Sequence, residues 1–271
     1  MTSARGYGPL RAAYERNKGA IVPFSRLKIN GRYQGVRGLL KPANEVFFSG
    51  FEFKSGLLKR GAGGRVVRGR CRRSGSSAKI GSRVHRELEE WGKTSTMPTK
   101  PHRYTRGIIA ALTLVEDLEP VAMEFPILSQ RGAYLTYSDM VCTTTRAIDG
   151  RQLNIVVSFK TGYNRTMSSR RFGKCAGALS AYPNNSLTHH QVQLACEIYT
   201  LKKEYGVQID GGIIIYAGWG TKREVHIERL PQWCYSQRLM RKVHKELAAS
   251  DTDLHKRILS ADIPSTTQHN T

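Results

Sequence analysis

The stretch that most constrains this chain runs from Gly132 to Gly162, two β-rich runs on either side of a polar turn. In the first run, Tyr134 to Val141 has the aromatic and β-branched character of a strand and carries Asp139 near its end. Asp149-Gly150 supplies the turn, because both residues tolerate the left-handed backbone that a tight hairpin needs. The second run, Leu153 to Phe159, is apolar and ends on Lys160, followed by Thr161-Gly162. Paired antiparallel, the runs bring an acid and a lysine to one end of the hairpin, where phosphodiester chemistry could use both. A carboxylate can hold a divalent cation against a phosphate, and an ammonium can orient water and offset developing charge. The plainer alternative is a solvated strand edge ending in lysine and an aspartate that caps a turn.

Charge narrows the choice of partner. The 271 residues contain 43 Lys and Arg against 21 Asp and Glu, a formal net charge of +22. That excess is far beyond what solubility requires, so a polyanion is expected, with nucleic acid first. An anionic membrane surface is the competitor, but no long apolar run and no amphipathic basic helix supports it, and no membrane partner is expected. The opening residues, Met1 to Gly19, have no apolar signal core, so the protein is expected inside a cell, with the nucleus open to it in a eukaryote or its virus. Cys71, Cys142, Cys175, Cys196 and Cys234 are scattered, without the paired spacing of a zinc or iron–sulfur site, and read as reduced structural thiols.

Along the chain, residues 1–53 give no firm architecture; Glu45 to Phe48 is a short apolar run that could belong to a small lobe or to loops packed on a core. Lys54 to Arg86 carries many cations, Arg68, Arg70, Arg72 and Arg73 among them, spaced by Gly and Ser and with no acid. So little apolar surface cannot offset the entropy of ordering, and a mobile arm is expected, touching phosphates or serving as a polybasic import signal. Gly81 or Ser82 then opens a helix in which Val84, Leu88 and Trp91 form the buried stripe and His85 and Glu89 share a neighbouring face. A second helix spans Arg106 to Glu116, and a strand from Val121 to Leu128 contains Glu124. After the hairpin, Arg165, Arg170 and Arg171 lie in a loop that grips a nucleic-acid backbone or is simply solvated. Ser186 or Thr188 caps a helix from His189 to Tyr205, closed by Gly206. Two strands, Val207 to Ala217 and Arg223 to Leu230, a helix from Trp233 to Ala249 bearing Arg238, Arg241, Lys242 and Lys245, and a frayed tail complete the chain.

Five segments taken in this order resemble the RecB-like branch of the PD-(D/E)xK nuclease superfamily, which includes phage and herpesvirus alkaline exonucleases. They are Gly81-x-x-x-His85-x-x-Leu88-Glu89, Val121-x-x-Glu124-x-Pro126, Tyr137-Ser138-Asp139, Ser158-Phe159-Lys160-Thr161-Gly162 and His190-Gln191-Val192-Gln193-Leu194, and the likeness spans residues 80–230. The resemblance implies an α/β, restriction-endonuclease-like core, a mixed central sheet flanked by helices over residues 80–250, with a basic extension over 1–79 and a tail over 251–271. It also implies Mg²⁺ or Mn²⁺ held by His85, Asp139 and the backbone carbonyl of Phe159, and Glu124 completing or bracing that shell. Lys160 would position the attacking water, and Gln193 would orient the lysine or the phosphate. The implied substrate is DNA, with RNA open, cut by an exonuclease or flap-type enzyme of replication, recombination or repair. Some nucleases of this kind carry a four-cysteine iron–sulfur cluster, which the cysteines here could not supply.

Two departures stand out. Ser158 occupies the position of the family's Asp or Glu, removing a ligand, and the tyrosine expected four residues after Gln193 is replaced by Glu197, with Tyr199 two residues further on. Mg²⁺ tolerates few protein ligands and many waters, and a histidine favours Mn²⁺ more than an all-oxygen site does. The rival expectations are a nuclease fold that binds or packages nucleic acid without cutting it, and a basic structural protein that works through its arm.

Overall fold

The computed structural model describes residues 79–162, 173–218 and 225–250, residues 43 and 46–48, and, as backbone only, residues 74–78 and four short strands. Those four pair as two antiparallel ribbons, β1 (Lys28–Ile29) with β2 (Arg32–Tyr33) and β3 (Leu58–Arg60) with β4 (Val66–Arg68). The main body is α/β. Helices α1 (Ser74–Thr94) and α2 (Arg103–Ala110, extended by a π-helical turn over Ala111–Val115) precede strands β5 (Leu118–Ser129), β6 (Tyr134–Thr144) and β7 (Asn154–Thr161). Helix α3 (Ser186–Lys203), strands β8 (Gly211–Ala217) and β9 (Val225–Arg229) and helix α4 (Gln237–Ala249) follow.

The five strands β5 to β9 form one sheet in sequence order. Only β7 and β8 are parallel, and the other neighbours are antiparallel, so the sheet is mixed. A parallel pair needs a crossover, and α3 provides it. Each face buries an apolar layer: Val84, Leu88, Trp91, Ile108 and Leu112 of α1 and α2 pack on Met140, Val157 and Ile215. On the other face Val192, Ala195 and Ile198 of α3 and Met240, Val243 and Leu247 of α4 pack on Phe125, Val141, Val156 and Ile214. Phe47 and Phe48 join this second layer and Val46 packs against it, so the described part of the expected apolar run lies on the core.

Several boundaries differ from expectation, each for a local reason. The first helix starts at Ser74, so residues 74–86 belong to it and not to a mobile arm. Gly81 lies inside it, where a Cβ would stand 3.1 Å from Thr161 Oγ1; the glycine permits close approach to the end of β7 and does not begin the helix. Arg83 within that stretch is paired with Glu87 at 2.6 Å. Asn185, rather than Ser186 or Thr188, caps α3, its side chain accepting the Thr188 N–H at 2.8 Å. Residues 232–235 form a 3₁₀ turn, and α4 itself starts after the cap Ser236. The expected turn at Asp149-Gly150 is present with φ 51° and 80°, the pair of positive values a type I′ turn uses. Gly206 ends the third helix with φ 65°. Arg70, Arg72, Arg73, Arg165, Arg170 and Arg171, the side chain of Arg68 and the tail over 251–271 lie outside the described residues. No described helix is long and apolar enough to cross a membrane.

Candidate metal centre

Asp139 sits where β6 parts from β7. The ladder between these strands runs to Met140 and Val157, and beyond it the Asp139 carboxylate takes the place of a backbone partner. Its Oδ2 accepts the Phe159 N–H at 2.8 Å and the Ser158 hydroxyl at 2.9 Å. Ser158, standing where an acid was expected, therefore clamps Asp139; a second carboxylate there would instead have repelled it. With Oδ2 held, Oδ1 faces His85 Nδ1 at 3.6 Å. In an extended strand the N–H and C=O of a residue point to the same side, so the Phe159 carbonyl faces this gap as well.

Glu124 arrives from β5 by an unusual backbone route. It has φ 45°, the left-handed region that a non-glycine residue enters at a cost of about 1–2 kcal/mol. The ladder pairs Met123 with Met140 and Phe125 with Ser138, and passes over Glu124 and Asp139. Side-chain alternation breaks at the same point: Met123 packs in the layer of α1, whereas Phe125, two residues on, packs in the layer of α3. A local irregularity of this kind re-aims side chains, and here it aims two carboxylates at one spot.

His85 completes the group from α1. Its Nδ1 lies 3.5 Å from Glu124 Oε1, and the three ligating atoms of His85, Glu124 and Asp139 all fall within 4.8 Å of one another. The three side chains are 33%, 38% and 13% exposed, so the cluster opens to solvent on one side. The hydrogen bond to Glu124 raises the imidazole pKa; burial opposes that, and the charges of Asp139 and Glu124 add to it. Adjacent ligands of an octahedral shell with bonds of about 2.1 Å stand about 3 Å apart, so small side-chain movements would bring the imidazole and both carboxylates onto one divalent cation. Two carboxylate oxygens, one imidazole nitrogen and a nearby carbonyl are a fitting donor set for Mn²⁺ or Mg²⁺.

Lys160 lies on the α3 side of this group, close enough for its charge to oppose protonation of His85. Its Nζ donates to Gln193 Oε1 at 3.4 Å, and Gln193 Nε2 donates to Glu197 Oε1 at 3.1 Å. Thr136 from β6 donates to the same Glu197 oxygen. Glu197 is 1% exposed. Burial pushes its carboxyl up to about 8, with the Asp139 charge raising it further and Lys160 opposing. The position of the expected tyrosine thus holds a buried acid of raised pKa whose Oε1 accepts from the Gln193 amide nitrogen, leaving the amide oxygen toward the lysine.

His85, Glu124, Asp139, Lys160 and Gln193 are therefore brought together from α1, β5, β6, β7 and α3. Glu89, on the same helix face as His85, pairs with Lys93 at 2.5 Å and takes no part. Glu87 has a structural task that its sequence context did not announce. It accepts the Thr105 hydroxyl at 2.5 Å and the His102 N–H at 2.8 Å, tying α1 to the start of α2. Burial alone would raise its pKa, but the hydrogen bonds from Thr105, Arg83 and His102 outweigh that and hold it low. Cys142, Cys175, Cys196 and Cys234 are buried free thiols. No protein-family model matches the chain, and a search of curated proteins finds no match either.

Proposed function

We propose that this protein is a divalent-metal-dependent nuclease that hydrolyses phosphodiester bonds in nucleic acid, DNA first and RNA as the alternative, on a restriction-endonuclease-like core of the RecB-like kind. The observation that carries the reading is the meeting of His85, Glu124 and Asp139, from a helix and two strands, beside a lysine at the end of the next strand. Asp139 and His85 would hold the cation, with Glu124 and the Phe159 carbonyl filling or bracing its shell. Bound there, Mg²⁺ or Mn²⁺ would polarise the scissile phosphate and lower the pKa of a coordinated water.

The remaining work falls to the chain's own groups. Ser158 and the Phe159 N–H hold one Asp139 oxygen so that the other stays turned toward His85. Lys160 places a water against the phosphate and offsets charge on the pentacovalent oxygens. Gln193 holds the ammonium in position, and Glu197 and Thr136 hold Gln193. The positive balance of +22 supports a polyanionic substrate.

The test is cleavage of linear and circular DNA, and of RNA, with Mg²⁺ and Mn²⁺, beside Asp139→Asn and Lys160→Ala. Metal-dependent cutting that both changes abolish is the expected result; cutting confined to linear DNA would indicate an exonuclease or flap-type enzyme. A second reading, a nuclease fold that binds or packages nucleic acid without cutting it, draws on Ser158 in place of an acid. It expects tight binding, no cleavage with any metal, and indifference to Lys160→Ala.

A further inference from the structure

Helix α4 turns Met240, Val243, His244, Leu247 and Ala248 into the core and leaves Arg238, Arg241, Lys242 and Lys245 exposed. Spacings of three, four and seven residues place these cations in one stripe along the solvent face. None of the four meets a carboxylate among the described residues. The single acid of the helix, Glu246, turns away to accept the Ala178 N–H at 2.9 Å. Helix α1 handles charge differently: Arg83 pairs with Glu87 and Lys93 with Glu89, each four residues apart.

The first cation of the stripe also stands against the helix dipole. Cations are favoured in the last turn, where α1 has Lys93 and α3 has Lys202 and Lys203. In α4 the last turn has none, the first turn has no acid, and Arg238 stands one residue inside the start. Positive charge at Arg238 costs helix stability, and the other three gain nothing from the terminal dipole, so the stripe is not explained by the needs of the helix.

We propose that the solvent face of α4 is a nucleic-acid backbone contact, distinct from the metal centre, which grips phosphates without reading sequence. From Arg238 to Lys245 the helix rises about 10 Å, the axial length of about three phosphates on one strand of a duplex. A membrane surface fits less well, because among the described residues the stripe is flanked by no exposed Trp, Phe or Leu that could enter a bilayer interface. The identity of the polyanion rests on the nucleic-acid reading above.

The test compares the full-length protein with a variant in which Arg238, Arg241, Lys242 and Lys245 are changed to Gln. A control variant changes Lys93, Arg103, Arg106 and Arg146, four exposed cations elsewhere, to Gln. Binding to a short labelled DNA duplex and to an RNA of the same sequence is measured across salt concentrations, without divalent metal. The expected result is that the α4 variant loses about two to three units of log–log salt slope, at about 0.9 per phosphate contact, and binds at least tenfold more weakly. The control keeps the wild-type slope, and the α4 variant melts no lower than wild type. Equal losses in both variants, or no loss in the α4 variant, overturn the proposal, as does stripe-dependent binding to anionic vesicles in place of DNA or RNA. If the wild type itself binds neither DNA nor RNA, the nuclease reading falls too; if it binds and only the α4 comparison fails, that reading stands.

Discussion

The two sides of the Asp139 strand end handle acid groups in opposite ways. Toward α1, Glu124, Asp139 and His85 form an open cluster with solvent on one side. Toward α3, Glu197 is sealed from water, burial raises its pKa to about 8, and its Oε1 accepts from Gln193 and Thr136. The difference teaches that a carboxylate's role here follows from its access to solvent or to a cation. Lys160 lies near both His85 of the open cluster and the sealed Glu197, yet only the open side gives a cation access to its carboxylates.

The largest effect should come from breaking the junction between the sides. Lys160→Ala is expected to reduce single-turnover cleavage by at least about 10²–10³-fold, the usual cost of removing a donor aimed at transition-state charge, while DNA binding persists. On the buried side, Glu197→Ala leaves a cavity and an unpaired Gln193 amide, and should cost about 2–4 kcal/mol in denaturant unfolding. Glu197→Gln, which keeps a neutral hydrogen-bonding group, should lose much less; equal losses would show that Glu197 is charged after all.

A pH series sharpens the contrast further. Because the Glu197 pKa is raised on folding, its contribution to stability is complete below the unfolded value of 4.5 and is lost as pH climbs through about 8. His244, which burial depresses to about 4, acts in the other direction: its contribution is present above 6.5 and is lost as pH falls toward 4. Glu197→Gln should therefore reduce the alkaline decline in melting temperature, to which His85 and Glu204 also contribute, and leave the acid decline in place. The smallest effect belongs to the open side, where Glu124→Gly should be about 1 kcal/mol more stable than Glu124→Ala, because glycine accepts φ 45° without strain. Neither variant should show the thermal stabilisation by Mn²⁺ expected of wild type.

Much of the site was legible because it lies in short local patterns. The hairpin with its Asp149-Gly150 turn is written in strand propensity and turn chemistry, and Val84, Leu88 and Trp91 mark the helix that presents His85. The start of that helix was not legible, because residues 74–80 look like part of a basic glycine-rich arm, and only contact with the sheet makes Gly81 a packing residue. Glu124 was legible as a strand acid able to complete or brace a metal shell; its left-handed backbone was not, because it depends on the ladder with β6. Ser158 read as a lost ligand, and its hydroxyl bond to Asp139 exists only across two strands.

By itself the amino-acid order determined the α/β pattern, the excess of positive charge and the residue types able to meet a phosphate and a cation, because periodicity, turn chemistry and composition act over a few neighbouring positions. Tertiary structure alone decided that His85, Glu124 and Asp139 converge, that Glu197 is buried with a raised pKa, and that the cations of α4 face solvent with no carboxylate against them among the described residues. Each of these depends on groups distant along the chain sharing one small volume, where solvent access and nearby charge set what a side chain can do.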